Sequence, residues 1–368
     1  MLKKAAALVL ACASISAWLG CGQTKSRFFF AAVPTSNNIV AYREDPNAGV
    51  LTQLSGSPIS AGSGVEALAL HPSGKYLYAA NSGSNNISLY TIASTGGLTE
   101  VTPRTNADTS PTLLITDAAG SFLYAANSGS NDISVYSISS STGELTPVPQ
   151  CFTSSNCTAS TTPIGLTALN IALAPSGKFL YVTGEEQLAG VNEGIIEVFP
   201  VSNGVLGTPV AGSPFFTGNL PFGLAIDSAG SHLYTANKQD NSISAFTINS
   251  NGSLAALGTA IGETFTGPVS LLIDKSGKYL YVANQGSSNV AAYGIGSDGG
   301  LTLLTGSPFS TGSGPSVLAS DSSGNYFFVG YISGMQSYTL TTSSGSLTSI
   351  ASYSLTASGT PTSIVVTP

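Results

Sequence analysis

The hydrophobic positions of this chain do not recur at helical spacing. They fall in short apolar runs bounded by clusters of Gly, Ser, Asn, Thr and Pro, the signature of strands joined by polar turns. The stretch "YLYAANSGSNNISLY" at Tyr76–Tyr90 shows the grammar: an aromatic-rich strand, a polar loop, then a strand of alternating polarity. It returns almost unchanged as "FLYAANSGSNDISVY" at Phe122–Tyr136. Five looser copies begin at Phe28, Phe179, His232, Tyr279 and Tyr326. The third aromatic of the seven units falls at Phe30, Tyr78, Tyr124, Tyr181, Tyr234, Tyr281 and Phe328, steps of 46 to 57 residues. A period near 47 is that of a propeller blade and too long for a short solenoid repeat.

Each unit carries four strand signals. An apolar run such as "VEALALHP", "PTLLITD" or "VSLLIDK" precedes the aromatic strand, and a tight turn such as "PSGK" joins the two. The alternating strand follows, then a turn such as "STGG" and a fourth strand such as "LTEV". The pattern predicts an all-β fold: a seven-bladed β-propeller with four antiparallel strands per blade. The near-continuous apolar first strands fit the innermost position, buried on both sides. The ends predict how the ring closes. The first unit lacks an apolar strand before it, and the last residues, "TPTSIVVTP", supply one with no blade after it. Residues Pro361–Thr367 should therefore pair with the strand that starts at Phe28, removing the open edges. Residues 27–368 form a single domain on this reading.

Composition narrows the function classes. Only 8% of residues are charged, the formal net charge is −7, and no basic run occurs, which argues against nucleic-acid binding. The opening "MLKKAAALVLACASISAWLGC" has the basic start and short apolar core of a secretory signal. Its "LGC" resembles the lipobox of bacterial lipoproteins. That resemblance implies cleavage after Gly20, acylation of Cys21 and a short tether over residues 21–26. Localisation would be the cell envelope, on the periplasmic or outer-membrane side, with lipid as the only membrane contact. Export makes a short-loop disulfide the expected state of Cys151 and Cys157 in "CFTSSNC". Two thiols without nearby His cannot complete a metal shell, so neither a metal nor a cofactor is expected. The chain is expected to be monomeric.

The units "HPSGKYLYAAN", "APSGKFLYV" and "DKSGKYLYVAN", with the crossings "LSGSPI", "VAGSPF" and "LTGSPF", resemble YVTN-type repeats and the lactonase-like seven-bladed propellers. The likeness covers essentially residues 27–368. The chain's only Trp is Trp18, so the tryptophan signatures of other propeller classes are absent from that region. The family, which includes 6-phosphogluconolactonase-like proteins, implies a ligand site where the second-to-third-strand loops and blade crossings surround the channel. Three consecutive blades of the family carry its charged and imidazole groups. In this chain the first reads Ser110, Thr112 and Asn127 where the family has a His pair and Asp. The second reads Leu169 and Asn170 for Arg-His and keeps Glu185. The third reads Gly223 and Ala225 for Glu and His, with Lys238 standing for Arg and Asp240 for His.

Lactone hydrolysis needs a base for water and donors or cations for the oxyanion. Glu185 could be the base and Lys238 the cation, but every family imidazole is gone. His71, in the turn "HPSG", and His232, at a position other blades give to Tyr or Phe, read as structural. Glu185, Glu186, Glu193 and Glu197 form the one local charge concentration, able in principle to bind a divalent cation but more simply a solvated loop. Asn127, Asn170, Glu186 and Asp240 are the remaining ligand-face candidates. Two readings follow: a non-catalytic binding or scaffold module for a protein or carbohydrate ligand, and a lactone hydrolase.

Overall fold

The computed structural model describes residues 26–150, 161–188, 191–262, 265–355 and 359–368. Seven antiparallel sheets follow one another along the chain. Blade 2 shows the unit: Val65–Leu70 innermost, then Tyr76–Asn81, Asn86–Ile92 and Leu98–Asn106 outermost. Blades 3 to 7 begin at Pro111–Thr116, Thr167–Leu173, Pro221–Ile226, Pro268–Ile273 and Val317–Ser320. Blade 1 takes its innermost strand from the other end of the chain. Ser363–Val366 pairs antiparallel with Arg27–Val33, from Ala32↔Ser363 to Phe29↔Val366. The Phe28 N–H donates to Thr367 Oγ1 at 2.9 Å and the Thr367 N–H to the Phe28 carbonyl at 2.9 Å, locking the seam. The ring closes as the two chain ends predict.

The expected four strands per blade hold fully in blades 2 and 7. In the other five the outer position is divided between two short strands on the third strand, as with Leu51–Gln53 and Ile59–Ser60 in blade 1. In three of these five, blades 1, 4 and 6, the division coincides with a "GSP" crossing. In "GSP" the proline has no N–H for the ladder, and the preceding serine hydroxyl accepts a third-strand N–H instead. Ser57, Ser213 and Ser307 take those of Ala41, Val198 and Ala292 at 2.9, 3.0 and 2.9 Å. A second departure lies in blade 4. The stretch "GEEQLAGVNEG", expected as a loop, continues the hairpin, with strands Phe179–Leu188 and Val191–Ser202 paired out to Leu188↔Val191. Among the described residues no helix is long and apolar enough to cross a membrane.

The core is divided like the sheets. Each of the seven interfaces between neighbouring blades holds its own apolar cluster, such as Tyr124 and Val135 against Leu180 and Val182 between blades 3 and 4. The repeated aromatics make these joints specific. The first aromatic position of each second strand lies over a turn glycine of the next blade: Phe28 on Gly96, Tyr76 on Gly143, Phe122 on Gly204, Phe179 on Gly252, His232 on Gly299, Tyr279 on Gly345 and Tyr326 on Gly49. The third aromatic is fully buried, and in four blades its hydroxyl donates into the next blade. Tyr78, Tyr181, Tyr234 and Tyr281 reach the carbonyls of Gly143, Gly252, Gly299 and Gly345 at 2.8, 3.1, 2.9 and 2.8 Å. A buried tyrosine hydroxyl needs such a partner.

Candidate functional site

The inner strands open the site by a shared irregularity. In blades 2 to 6 the ladder skips one residue near the start: Val65 faces Asn81 and Ala67 faces Ala80, leaving Glu66 unpaired. Thr112, Leu169, Phe222 and Val269 are skipped in the same way. A bulge re-aims the side chain of the extra residue, and a proline at Pro111, Pro221 and Pro268 suits a strand start that lacks a ladder donor. All five skipped side chains, with Ser316 and Thr362 from blades 7 and 1, ring a central cavity of about 380 Å³. Lys238 and Gln285, which follow the second strands of blades 5 and 6, complete its wall.

Most polar groups of the ring are occupied in holding it together. Ser316 Oγ donates to the Pro361 carbonyl and Thr362 Oγ1 to the Glu66 carbonyl, both at 2.6 Å. Thr112 shares a short hydrogen bond with Ser128. Ser363 Oγ accepts from the Leu68 N–H at 3.0 Å. Three lining groups make no hydrogen bond to protein among the described residues: the Glu66 carboxylate, the Lys238 ammonium and the Gln285 amide. The Lys238 Nζ stands 4.9 Å from the centroid of the Phe222 ring. Burial pushes the Glu66 carboxyl above the ordinary carboxylate range, because no donor compensates its lost hydration.

The residues singled out from sequence separate into groups. Lys238 and Asn170 line the cavity. Asn170 also bridges blades, its Nδ2 donating to the Phe222 carbonyl at 2.6 Å while its Oδ1 accepts from the Ile171 N–H. Glu185 does not line the cavity. Its Oε1 accepts from the Leu220 N–H at 3.2 Å, and the Leu220 carbonyl accepts from the Lys238 N–H at 2.9 Å. The two residues therefore flank one backbone unit, held at φ 51°, but no ion pair joins their side chains. Asp240 lies outside the cavity, accepting from the Asn219 backbone and side-chain amides at 2.8 and 3.2 Å.

Asn127, expected on the ligand face, is instead 1% exposed. Its Nδ2 donates to Asp132 Oδ1 and Ser134 Oγ at 2.7 and 2.8 Å, tying the second strand to the third. Asn237 makes the same tie to Ser242 and Ser244. Glu186 stands opposite Glu193 on the extended hairpin of blade 4. Burial raises the Glu197 carboxyl, which accepts from Ser213 Oγ at 2.8 Å. Among the described residues no three acidic, His or Cys side chains converge as a metal site. His71 binds the Gly120 carbonyl through Nε2 at 3.0 Å, and His232 binds Asp227 through Nδ1 at 2.9 Å, both in blade packing. Cys21, Cys151 and Cys157 lie outside the described residues. Glu66 escaped the sequence reading although a signal was present: it is the one charged residue at the second position of any inner strand.

Known structures share this architecture. A candidate 6-phosphogluconolactonase from Bacteroides fragilis superposes with a TM-score of 0.77 at 19% identity, over 94% of this chain and 99% of that one. A protein from Lactobacillus plantarum gives 0.75 at 20% identity, over 93% and 99%. The periplasmic gluconolactonase of Pseudomonas aeruginosa gives 0.74 at 17%, over 93% and 99%. At these identities the likeness is one of fold. No curated protein matches the chain in sequence. The sequence model described as "Lactonase, 7-bladed beta-propeller" matches residues 23–162 and 171–319, and with that match the repeats, the closed ring and the mouth of the channel place this chain in the lactonase seven-bladed β-propeller family.

Proposed function

We propose that the chain is a non-catalytic binding module of this family, exported and lipid-anchored through Cys21, that holds a small polar ligand in its central cavity. The observation that carries the reading is the placement of charge. Hydrolysis requires a base and an oxyanion-stabilising group aimed at the same carbonyl. Here the cavity carboxylate, Glu66, belongs to blade 2, while Lys238 belongs to blade 5 across the ring, and no imidazole lines the wall. Groups so divided suit holding the two ends of a ligand.

Lactone hydrolysis is the second reading, favoured by one feature: Glu185 and Lys238 meet on the backbone of Leu220. Purified protein assayed with 6-phosphogluconolactone and gluconolactone should show no turnover above spontaneous hydrolysis. Turnover that Glu185→Gln abolishes would overturn the binding reading. Anchoring has its own check. Cys21→Ser should move the protein from the membrane fraction to the soluble one, and an unchanged distribution would remove the lipid from the proposal.

A further inference from the structure

Among the described residues, the three cavity groups that make no hydrogen bond divide by charge and by position, Lys238 having only the face of the Phe222 ring beside its ammonium. Glu66 projects from blade 2, and Lys238 and Gln285 project from blades 5 and 6. Blades 3 and 4 separate them on one side, and blades 7 and 1 on the other. We propose that the cavity takes a zwitterionic small molecule, its cationic end toward Glu66 and its carboxylate toward Lys238 and Gln285. This rests on the binding reading and names the ligand class of that same site.

The alternatives leave charge uncompensated. Glu66 and Lys238 are half-buried and keep part of their hydration; a neutral polyol would displace that water and return no opposite charge to either, at a desolvation cost. A simple anion satisfies Lys238 but leaves Glu66 as a like charge in the same cavity. A simple amine meets the reverse problem. The hydroxyls that would otherwise recognise a sugar are already engaged: Ser316 and Thr362 donate to neighbouring carbonyls, and Thr112 is paired with Ser128. Glu185, the other carboxylate near Lys238, accepts the Leu220 N–H and forms no ion pair with the ammonium. Burial raises the proton affinity of Glu66, and a cationic group beside it would lower it again. The cavity of about 380 Å³ holds the volume of roughly a dozen waters, enough for an amino-acid-sized ligand.

Titration calorimetry on the purified full chain tests the assignment. The probes are ω-amino acids of increasing length, each compared with the carboxylic acid and the amine of equal length, with glucose and gluconate beside them. At least one ω-amino acid should bind about ten-fold or more tightly than either monofunctional relative, a difference of one ionic contact. Glu66→Gln should abolish the preference over the acid, and Lys238→Met the preference over the amine. Unchanged melting temperatures of both variants establish that the fold survives. Glucose or gluconate binding with equal affinity, indifferent to Glu66→Gln, overturns the zwitterion and leaves a binding module. Lactone turnover without binding of any probe overturns the binding reading itself. Absence of both binding and turnover overturns both.

Discussion

Gly143 illustrates how single residues set this fold. Its φ is 75°, which favours glycine, and a Cβ there would come within 2.6 Å of the Tyr76 ring. Its carbonyl also accepts the Tyr78 hydroxyl. Backbone, side-chain space and hydrogen bonding thus converge on one turn. Gly143→Ala should destabilise the protein by about 2–4 kcal/mol in urea unfolding, the sum of left-handed strain and overpacking. Tyr78→Phe keeps the ring and removes only the donor, so its cost should be smaller, about 1–2 kcal/mol. Equal costs for the two would mean that left-handed strain and overpacking at Gly143 together cost no more than one buried hydrogen bond. The asparagine that ends "YLYAAN" belongs with these positions. In Asn81, Asn127, Asn237 and Asn284 the amide turns into its own blade toward the third strand, and each is at most 1% exposed.

Between residue and blade, the elements show what the sequence discloses and what it conceals. Strands are legible because period and turn chemistry are local properties of "KYLYVAN" or "PSGK". The seam is legible because both ends of the chain lack a partner. Contacts between blades are not local, so the pairing of an aromatic with a glycine of the next repeat could not be read from either motif. The site is hidden for a related reason. One skipped residue in a ladder turns a side chain from the sheet into the channel, and although Glu66 is the one charge in "VEALAL", an isolated charge does not by itself mark the residue skipped. Polar loops drew attention to Glu186 and Asp240, yet the cavity wall is built by inner strands, with Lys238 and Gln285 as its contributions from the loops. Asn237 offers a test at this scale, since its side chain meets Ser242 and Ser244 at 3.0 and 2.9 Å and accepts from Thr217 at 3.2 Å. Asn237→Ala should cost about 2 kcal/mol by chemical denaturation, because the tie is buried. A cost near zero would assign the strand end to the backbone ladder alone.

At the scale of the whole ring, the joint between the last and first blades is where chain ends meet, and it contains a buried charge. Removal of residues 360–368 would strip blade 1 of its inner strand and expose two sheet edges, so the truncated chain should aggregate; a soluble monomer would contradict the closure argument. Beside the same joint, the Glu44 side chain is fully buried and neither carboxyl oxygen has a hydrogen-bond partner. Arg27 stands 3.7 Å from it but only 2.9 Å from Asp321, whose carboxylate also accepts the Asn325 and Tyr326 N–H groups of blade 7. Burial first, then the charges of Asp321 and Asp45, outweigh Arg27 and push the Glu44 carboxyl up to about 7. Because the folded protein binds this proton more tightly than the unfolded chain, the contribution is full below the ordinary carboxylate range. It fades as pH rises from the unfolded value, near 4.5, to about 7. The loss is on the order of 3 kcal/mol for a shift of this size. Glu44→Gln keeps the shape without the titration: its amide can donate to Asp321 while its carbonyl accepts from Arg27. The variant should be more stable than the parent at pH 8 and match it near pH 4.5, in urea unfolding at each pH. If the stability difference between the two proteins does not change across that interval, the seam carries no proton at Glu44, and Arg27 neutralises both acids at once.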